Sequence, residues 1–282
     1  MDQLTAKVTA DGSLTFFSED YQECFHSRHG AKQESIYQYV VPAKLLARAQ
    51  TQSEIHILDV CYGLGYNSAA AIEFLYNSPT RLVIHALEID AQVPQQAIDR
   101  GIMTVWSETT QQILKEIARN YTFTDRKVSV FLHIGDARQT IKTIPLQWAD
   151  AIFFDPFSPP KCPQLWTVEF IKLVADRLHF DGCLLTYSCA AAIRKAMLAA
   201  DLIVGSTPPL GRVAPGTIAA FNSRWVPPLT IAEQEHLRTK AAVPYRDPNL
   251  CDSATTILDR RSKEQAESSL EPTSQWKRRH NP

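Results

Sequence analysis

Four acids stand where apolar runs stop. Asp59, Glu88, Asp136 and Asp155 each close or follow a short segment rich in Val, Ile, Leu and Phe, and Gly63-Leu64-Gly65 comes directly after the first. A buried strand that ends in an acid can carry a carboxylate to the rim of a pocket. Glycines beside it let a ligand lie on the backbone, where a side chain would collide. The spacing from the glycines to Glu88 suits a two-point contact to the hydroxyls of a ribose, or else a cap for the helix that follows. Asp136, within Gly135-Asp136-Ala137, suits the exocyclic amine of an adenine, or else a helix N-cap. Asp155 opens Asp155-Pro156-Phe157-Ser158-Pro159-Pro160-Lys161. Three prolines stiffen that loop at low entropic cost, which serves a plain rigid connection or the positioning of a substrate group beside a cofactor.

The glycine turn narrows the nucleotide. No Gly-x-x-x-x-Gly-Lys-Ser/Thr occurs, so a phosphate loop is absent. The dinucleotide fingerprint wants a third glycine, and Ser68 stands there. S-adenosylmethionine has an adenosine and no phosphate, so it needs neither feature, and it is the expected cofactor. Asp59, Cys61, Gly63, Gly65, Asn67, Glu88, Asp136 and Asp155 are its candidate contacts, with Asp155 the candidate catalytic residue. Its unperturbed pKa of about 4 makes it a poor base for an ammonium. Orienting a neutral amine and stabilising the cation that develops is the better role. None of the six cysteines forms a Cys-x-x-Cys pair or sits at a zinc spacing from histidine. They read as reduced, buried thiols, and no metal is expected.

Such residues need a sheet to align them. Strand-like runs at 55–60, 82–88, 128–134, 149–154, 182–187, 202–205 and 216–221 alternate with segments of helical spacing. In 165–178, Trp166, Phe170, Leu173, Val174 and Leu178 share one face, and in 106–119 so do Ile113, Leu114, Ile117 and Ala118. This alternation implies an α/β fold with a mostly parallel sheet covered by helices on both faces. Ligands of such sheets bind beyond the carboxyl ends of the strands.

The expected units are an N-terminal extension over 1–50, a catalytic domain over 51–222 and a C-terminal tail over 223–282. The extension holds one arm of a hairpin at 13–17 with Asp11-Gly12 as its turn, and a helix at 36–49 interrupted by Pro42. In the tail, Thr230 and Glu233 resemble a capping box, while Pro244, Pro248 and Pro272 argue against long elements. Ser188 is a candidate cap for a helix over 189–200. The hydrophobic share of 45% is a globular value. No apolar run spans a bilayer and the N-terminus reads as no signal peptide, so a cytoplasmic protein without a membrane partner is expected. A net charge of −1 excludes a general basic coat for nucleic acid, so any such contact must be local.

Leu58-Asp-Val-Cys-Tyr-Gly-Leu-Gly-Tyr-Asn67, Asp155-Pro-Phe-Ser-Pro-Pro-Lys161 with Leu165-Trp166-Thr167, and Thr186-Tyr-Ser-Cys-Ala-Ala-Ala-Ile-Arg194 resemble the methyltransferase domain of the MnmC family. The resemblance extends upstream through Gly12–Ser18 and Gln33-Glu34 and covers roughly residues 11–221. It implies a Rossmann-like class I S-adenosylmethionine methyltransferase fold with a seven-stranded sheet. It also implies transfer of a methyl group to the aminomethyl group of a tRNA wobble uridine. With no room for the family's oxidase half, it implies a stand-alone form, served by enzymes that make the 5-aminomethyl or carboxymethylaminomethyl uridine. Phe157 and Tyr187 are then candidates to border the base, or ordinary packing residues. Lys161, Arg194 and Arg212 are candidates for phosphate contacts, or solvated surface charges. The chain departs from the family at Cys61, where a glycine is usual, and at Gly211–Gly216, where the family is more basic. A methyltransferase of a small molecule or protein, and a non-catalytic RNA-binding relative, are the competing readings.

Overall fold

The computed structural model describes residues 4–209 and 214–280, with the side chain of Trp225 left aside. Arg212 therefore lies outside the described residues.

A small antiparallel sheet comes first. β1 (Thr5–Val8) pairs with β2 (Leu14–Ser18), which pairs with β3 (Glu23–Cys24). The Asp11-Gly12 turn forms as expected: Gly12 has φ 81°, and the Asp11 carboxylate accepts from Ser13 N at 3.0 Å. A helix over Ala31–Glu34 then widens into π geometry over Ser35–Val40, breaks around Pro42, and resumes at Leu45–Arg48. Widened turns of this kind often lie at functional sites.

The main sheet has the strands β4 (Glu54–Val60), β5 (Arg81–Glu88), β6 (Thr122–Thr124), β7 (Val128–Ile134), β8 (Ala149–Phe154), β9 (Leu178–Thr186), β10 (Ile203–Ser206) and β11 (Thr217–Ala220). Their spatial order is β10-β11-β9-β8-β4-β5-β7-β6. β4, β5, β7, β8 and β9 run parallel, while β11 pairs antiparallel to β9 and β6 to β7. The chain builds outward from β4 to β5 and β7, then crosses to β8 on β4's other side. The order therefore reverses at β4, and a crevice opens beyond the strand ends there. All seven expected strands form. The eighth, β6, is a three-residue edge strand too short to show any alternation.

Apolar side chains cover both faces. Ile55 and Ile57 of β4 pack with the helices Tyr66–Leu75 and Glu108–Asn120, whereas Leu58 and Val60 pack with Val168–Ala175 and Ala191–Ala199. The Glu108–Asn120 helix starts on Ser107, whose hydroxyl accepts from Thr110 N. Ala69, Ala70 and Ala71 are wholly buried, and their small side chains bring the Tyr66–Leu75 helix close to the sheet. Of the cysteines, Cys162 and Cys183 are buried and Cys251 is exposed, so buried thiols are the minority; all six are free.

The tail corrects an expectation. Beyond the short helix Ile231–His236, whose Thr230/Glu233 capping box is present, helices run over Ala254–Glu267 and Thr273–His280. Its prolines sit between and just ahead of these helices, where they punctuate rather than suppress them. Ser188 is a second correction, because the helix it was expected to cap starts on Ala190 without a side-chain cap. Among the described residues, no helix is long and apolar enough to cross a membrane.

Candidate active site

Backbone bonds bring the strand ends level. Asp155 N donates to Val60 O (3.1 Å), Tyr62 N to Leu87 O (2.9 Å) and Gly135 N to Glu88 O (2.8 Å). Beyond these ends lies a cavity of about 720 Å³. Cys61, Gly63, Glu88, Asp136, Asp155, Phe157 and Tyr187, all singled out in the sequence, line it together.

The turn after β4 is tightly wound. Cys61, Gly63 and Gly65 have φ of 71°, 54° and 81°. A Cβ on Gly65 would stand 2.6 Å from the Tyr62 hydroxyl, so both its conformation and its surroundings require glycine. Cys61 holds a left-handed conformation that costs an L-residue about 1 kcal/mol, which accounts for a glycine being usual there. Burial pushes its thiol well above the ordinary range, so it is an inert wall and no nucleophile.

Glu88 is 8% exposed. Its Oε2 accepts from Gly63 N at 2.7 Å, and Oε1 accepts from Ile89 N and Asp90 N at 2.8 and 3.0 Å. Burial raises its pKa, and the N–H groups of Asp90, Gly63 and Ile89 only partly offset this. Those bonds fix the carboxylate at the cavity wall and leave lone pairs for a diol.

Asp136 caps the helix Ala137–Thr140, accepting from Arg138 N, and Arg138 also grips both carboxylate oxygens at 2.7–3.1 Å. Burial pushes the Asp136 carboxyl up, but the Arg138 bonds and charge outweigh it and hold the pKa below its usual value. The N-cap and the cavity-wall positions thus coexist in one residue. On the other flank, Asn67 Nδ2 donates to Asp155 Oδ2 at 2.9 Å.

Five expected contacts stand elsewhere. Asp59 does not line the cavity. It is wholly buried behind the turn, where its Oδ2 accepts from the Ser68 hydroxyl at 2.6 Å. Gly65 shapes the turn from the helix side, and Asn67 reaches the cavity through Asp155. Arg194 is no phosphate contact: it is 3% exposed, with its guanidinium bound to Glu233, Ser206, Thr217 and the Gly216 carbonyl. Lys161 is exposed and outside the cavity lining.

Phe157 and Tyr187 are engaged by the protein itself. Phe157 stacks on Tyr21 at 4.3 Å and meets Phe25 edge-on at 4.9 Å. Tyr187 donates its hydroxyl to Pro156 O at 2.9 Å, and Trp166 Nε1 donates to Phe157 O at 2.8 Å. Ser158 N and its hydroxyl donate to Glu23 at 3.0 and 2.8 Å. The loop after Asp155 is therefore braced from both sides, and the N-terminal segment in and around β3 supplies a wall of the cavity through Tyr21, Glu23, Phe25 and Arg28. Sequence reasoning missed these four. Only the aromatic spacing at 21 and 25 hints at them, and nothing local shows what they face.

The donor set fits S-adenosylmethionine. Gly63 and Gly135 offer bare backbone, Leu87, Ile89, Val93 and Ala137 give apolar walls for a flat base, and Glu88 presents acceptors for a ribose. Among the described residues, no group of three or more His, Cys, Asp and Glu could hold a metal ion.

Asp59 carries a pH dependence. Burial raises its pKa to about 7 against the Ser68 bond, with Asp155 and Glu88 adding to the rise. Between about 4 and 7 the folded state therefore holds a proton that the unfolded chain has released. Stability falls as pH rises through this window, and the penalty is complete above about 7. Asp59→Asn removes the titration. Its stability relative to the parent should grow by about 2 kcal/mol between pH 5.5 and 8, read by urea unfolding at both values. A constant difference would show that the carboxyl is ionised throughout.

Comparison with known proteins places this geometry. The profile of a family described as S-adenosyl-L-methionine-dependent methyltransferase matches residues 101–222. The crystal structure of MNMC2 from Aquifex aeolicus is 32% identical and superposes with a TM-score of 0.83, covering 95% of this chain and 87% of that one. An uncharacterized protein of Methanocaldococcus jannaschii is 27% identical over 264 residues, 90% of this chain and 70% of its own length. The tRNA 5-methylaminomethyl-2-thiouridine biosynthesis bifunctional protein MnmC of Ralstonia nicotianae is 27% identical over 234 residues, 78% of this chain. The chain spans about a third of the length of the bifunctional relatives it matches: 35% for those of Ralstonia nicotianae and Acidovorax.

Proposed function

The chain belongs to the MnmC-like S-adenosylmethionine-dependent methyltransferases, and on that premise we propose that it methylates the aminomethyl group of a wobble uridine in tRNA, giving 5-methylaminomethyl-(2-thio)uridine. The observation that carries this reading is the shared cavity. Glu88, Asp136 and Asp155 face it from the sheet, the N-terminal strands close it from the other side, and its roughly 720 Å³ accommodates a nucleoside cofactor and a second base. The names of the MnmC relatives point to the same acceptor. Enzymes that make the 5-aminomethyl or carboxymethylaminomethyl uridine would supply it, in the cytoplasm where tRNA resides.

S-adenosylmethionine, when bound, supplies a methyl group already activated on a positive sulfur. The protein's task is then alignment and exclusion of water. Glu88 and the bare backbone at Gly63 hold the cofactor's sugar end, and Asp136 faces the base. Asp155, aimed by Asn67, accepts a hydrogen bond from the acceptor amine. It keeps the nitrogen lone pair directed at the methyl carbon and stabilises the positive charge that grows on nitrogen. The proton leaves through Asp155 or a water beside it. The stiff Pro156–Pro160 segment, braced by Glu23 and Tyr187, keeps that carboxylate in place.

The test is nucleoside mass spectrometry. Bulk tRNA from a strain lacking this gene is incubated with the protein and S-adenosylmethionine. A new 5-methylaminomethyl nucleoside is expected, at the expense of the aminomethyl one. Methyl incorporation into any other nucleoside, or none into tRNA, overturns the assignment.

A further inference from the structure

We propose that Asp247, in the C-terminal segment, is a positioning residue for the cofactor: it anchors Arg138, and Arg138 in turn sets the Asp136 carboxylate at the adenine end of the cavity. The inference rests on the adenosyl site and is independent of the acceptor.

Asp247 is wholly buried. Its Oδ1 accepts from Cys251 N and Asp252 N, both at 3.1 Å, and its Oδ2 accepts from Arg138 Nη1 at 2.9 Å. The same Nη1 donates to Asp252 O at 3.0 Å. Nε and Nη2 turn the other way, onto both oxygens of Asp136. One guanidinium thus bridges two carboxylates, one fixed by the tail and one at the cavity wall. A planar fork does this only if both of its edges are held.

The tail segment is itself fastened to the catalytic core. Asp247 N donates to Glu169 Oε2 at 2.8 Å, Arg246 Nε to Glu169 Oε1 at 2.7 Å, and Val168 N to Tyr245 O at 3.0 Å. The Arg138 side chain is 13% exposed, so water cannot readily replace a lost partner. Without the Asp247 charge Nη1 keeps only the neutral Asp252 carbonyl, and the guanidinium is held less firmly at the angle from which Nε and Nη2 grip Asp136. The Asp136 carboxylate then loses the orientation in which it accepts from an exocyclic amine.

The experiment uses the full chain and reads binding by calorimetry, separately from activity. The probes are S-adenosylhomocysteine and its inosine counterpart, which carries a 6-oxo group in place of the amine. The parent should prefer the adenosyl compound about tenfold. Asp247→Asn should weaken S-adenosylhomocysteine binding about tenfold and bring the preference towards one. Arg138→Lys, which keeps the charge but cannot fork, should do the same and decides the question if Asp247→Asn does not fold. Arg279→Ala loosens the far end of the tail, where Arg279 holds Glu235 and Glu271, and should leave both Kd values within twofold. An unchanged preference in folded Asp247→Asn or Arg138→Lys overturns the positioning role, as does an equal loss in Arg279→Ala. A parent that binds both probes alike overturns the placing of the adenine amine at Asp136, and the inference with it. None of these outcomes touches the tRNA assignment, which nucleoside mass spectrometry decides.

Discussion

Asp155→Asn is expected to lower kcat for methyl transfer by about a hundredfold or more at saturating substrates. The substitution keeps the shape of the side chain and can keep the bond to Asn67 Nδ2, now 2.9 Å from Oδ2. It removes the negative charge that faces the developing ammonium, and it can turn an amide N–H towards an amine that needs an acceptor. Because the loss falls on the transition state more than on the bound substrate, KM for tRNA should change little while kcat drops. Asn67→Ala leaves the carboxylate but frees its aim, and about a tenfold loss is expected. Single-turnover rates with labelled cofactor make the measurement. A rate for Asp155→Asn within threefold of the parent would show that the residue neither orients the amine nor stabilises its charge.

Arg194→Ala is expected to cost about 3–5 kcal/mol of stability. Its guanidinium donates to Thr217 Oγ1 (3.0 Å), Glu233 Oε1 (2.9 Å), Ser206 Oγ (2.7 Å) and Gly216 O (3.3 Å). Ser206 also donates to the Glu233 carboxylate. Burial pushes Glu233 up, but the Ser206 and Arg194 bonds outweigh it and hold the pKa at about 2. Removing Arg194 orphans these acceptors and leaves a cavity beneath the helix Ala191–Ala199. It also unfastens the C-terminal tail, which meets the core here through Glu233. Urea unfolding measures the loss, and Arg194→Lys should recover only part of it, because an ammonium cannot reach three directions in a plane. If Arg194 instead gripped a tRNA phosphate, the variant would keep its stability and raise KM for tRNA with a salt-dependent slope.

Much of the scaffold was readable from the residues. Each of the seven expected strands is a run of Val, Ile, Leu, Phe or Ala long enough for burial to impose a pattern, and each forms. β6 escaped because Thr-Phe-Thr is too short to carry a period. The tail helix Ala254–Glu267 escaped for a related reason. It buries only Ile257 fully, so it shows no apolar stripe, and its Arg260, Arg261 and Gln265 side chains bond instead to the preceding tail segment at residues 240–252.

The candidate site divides the same way. The glycines and the acids at strand ends owe their positions to local rules: a left-handed turn needs glycine, and a parallel strand ends at the crevice. Residue type and spacing alone determine them, and so does the expectation of an adenosyl cofactor. Whether a given charge faces the cavity, the core or water depends on elements distant in sequence. Asp59 and Glu88 both close parallel strands, yet Ser68 takes the first into the core while Gly63 holds the second at the rim. Arg194 was a plausible phosphate ligand until Glu233, 39 residues on, claimed it. Tyr21 and Glu23 join the site only because a small separate sheet folds over the loop after Asp155. A side chain's partner is fixed by packing across the whole chain, and no window of sequence contains that.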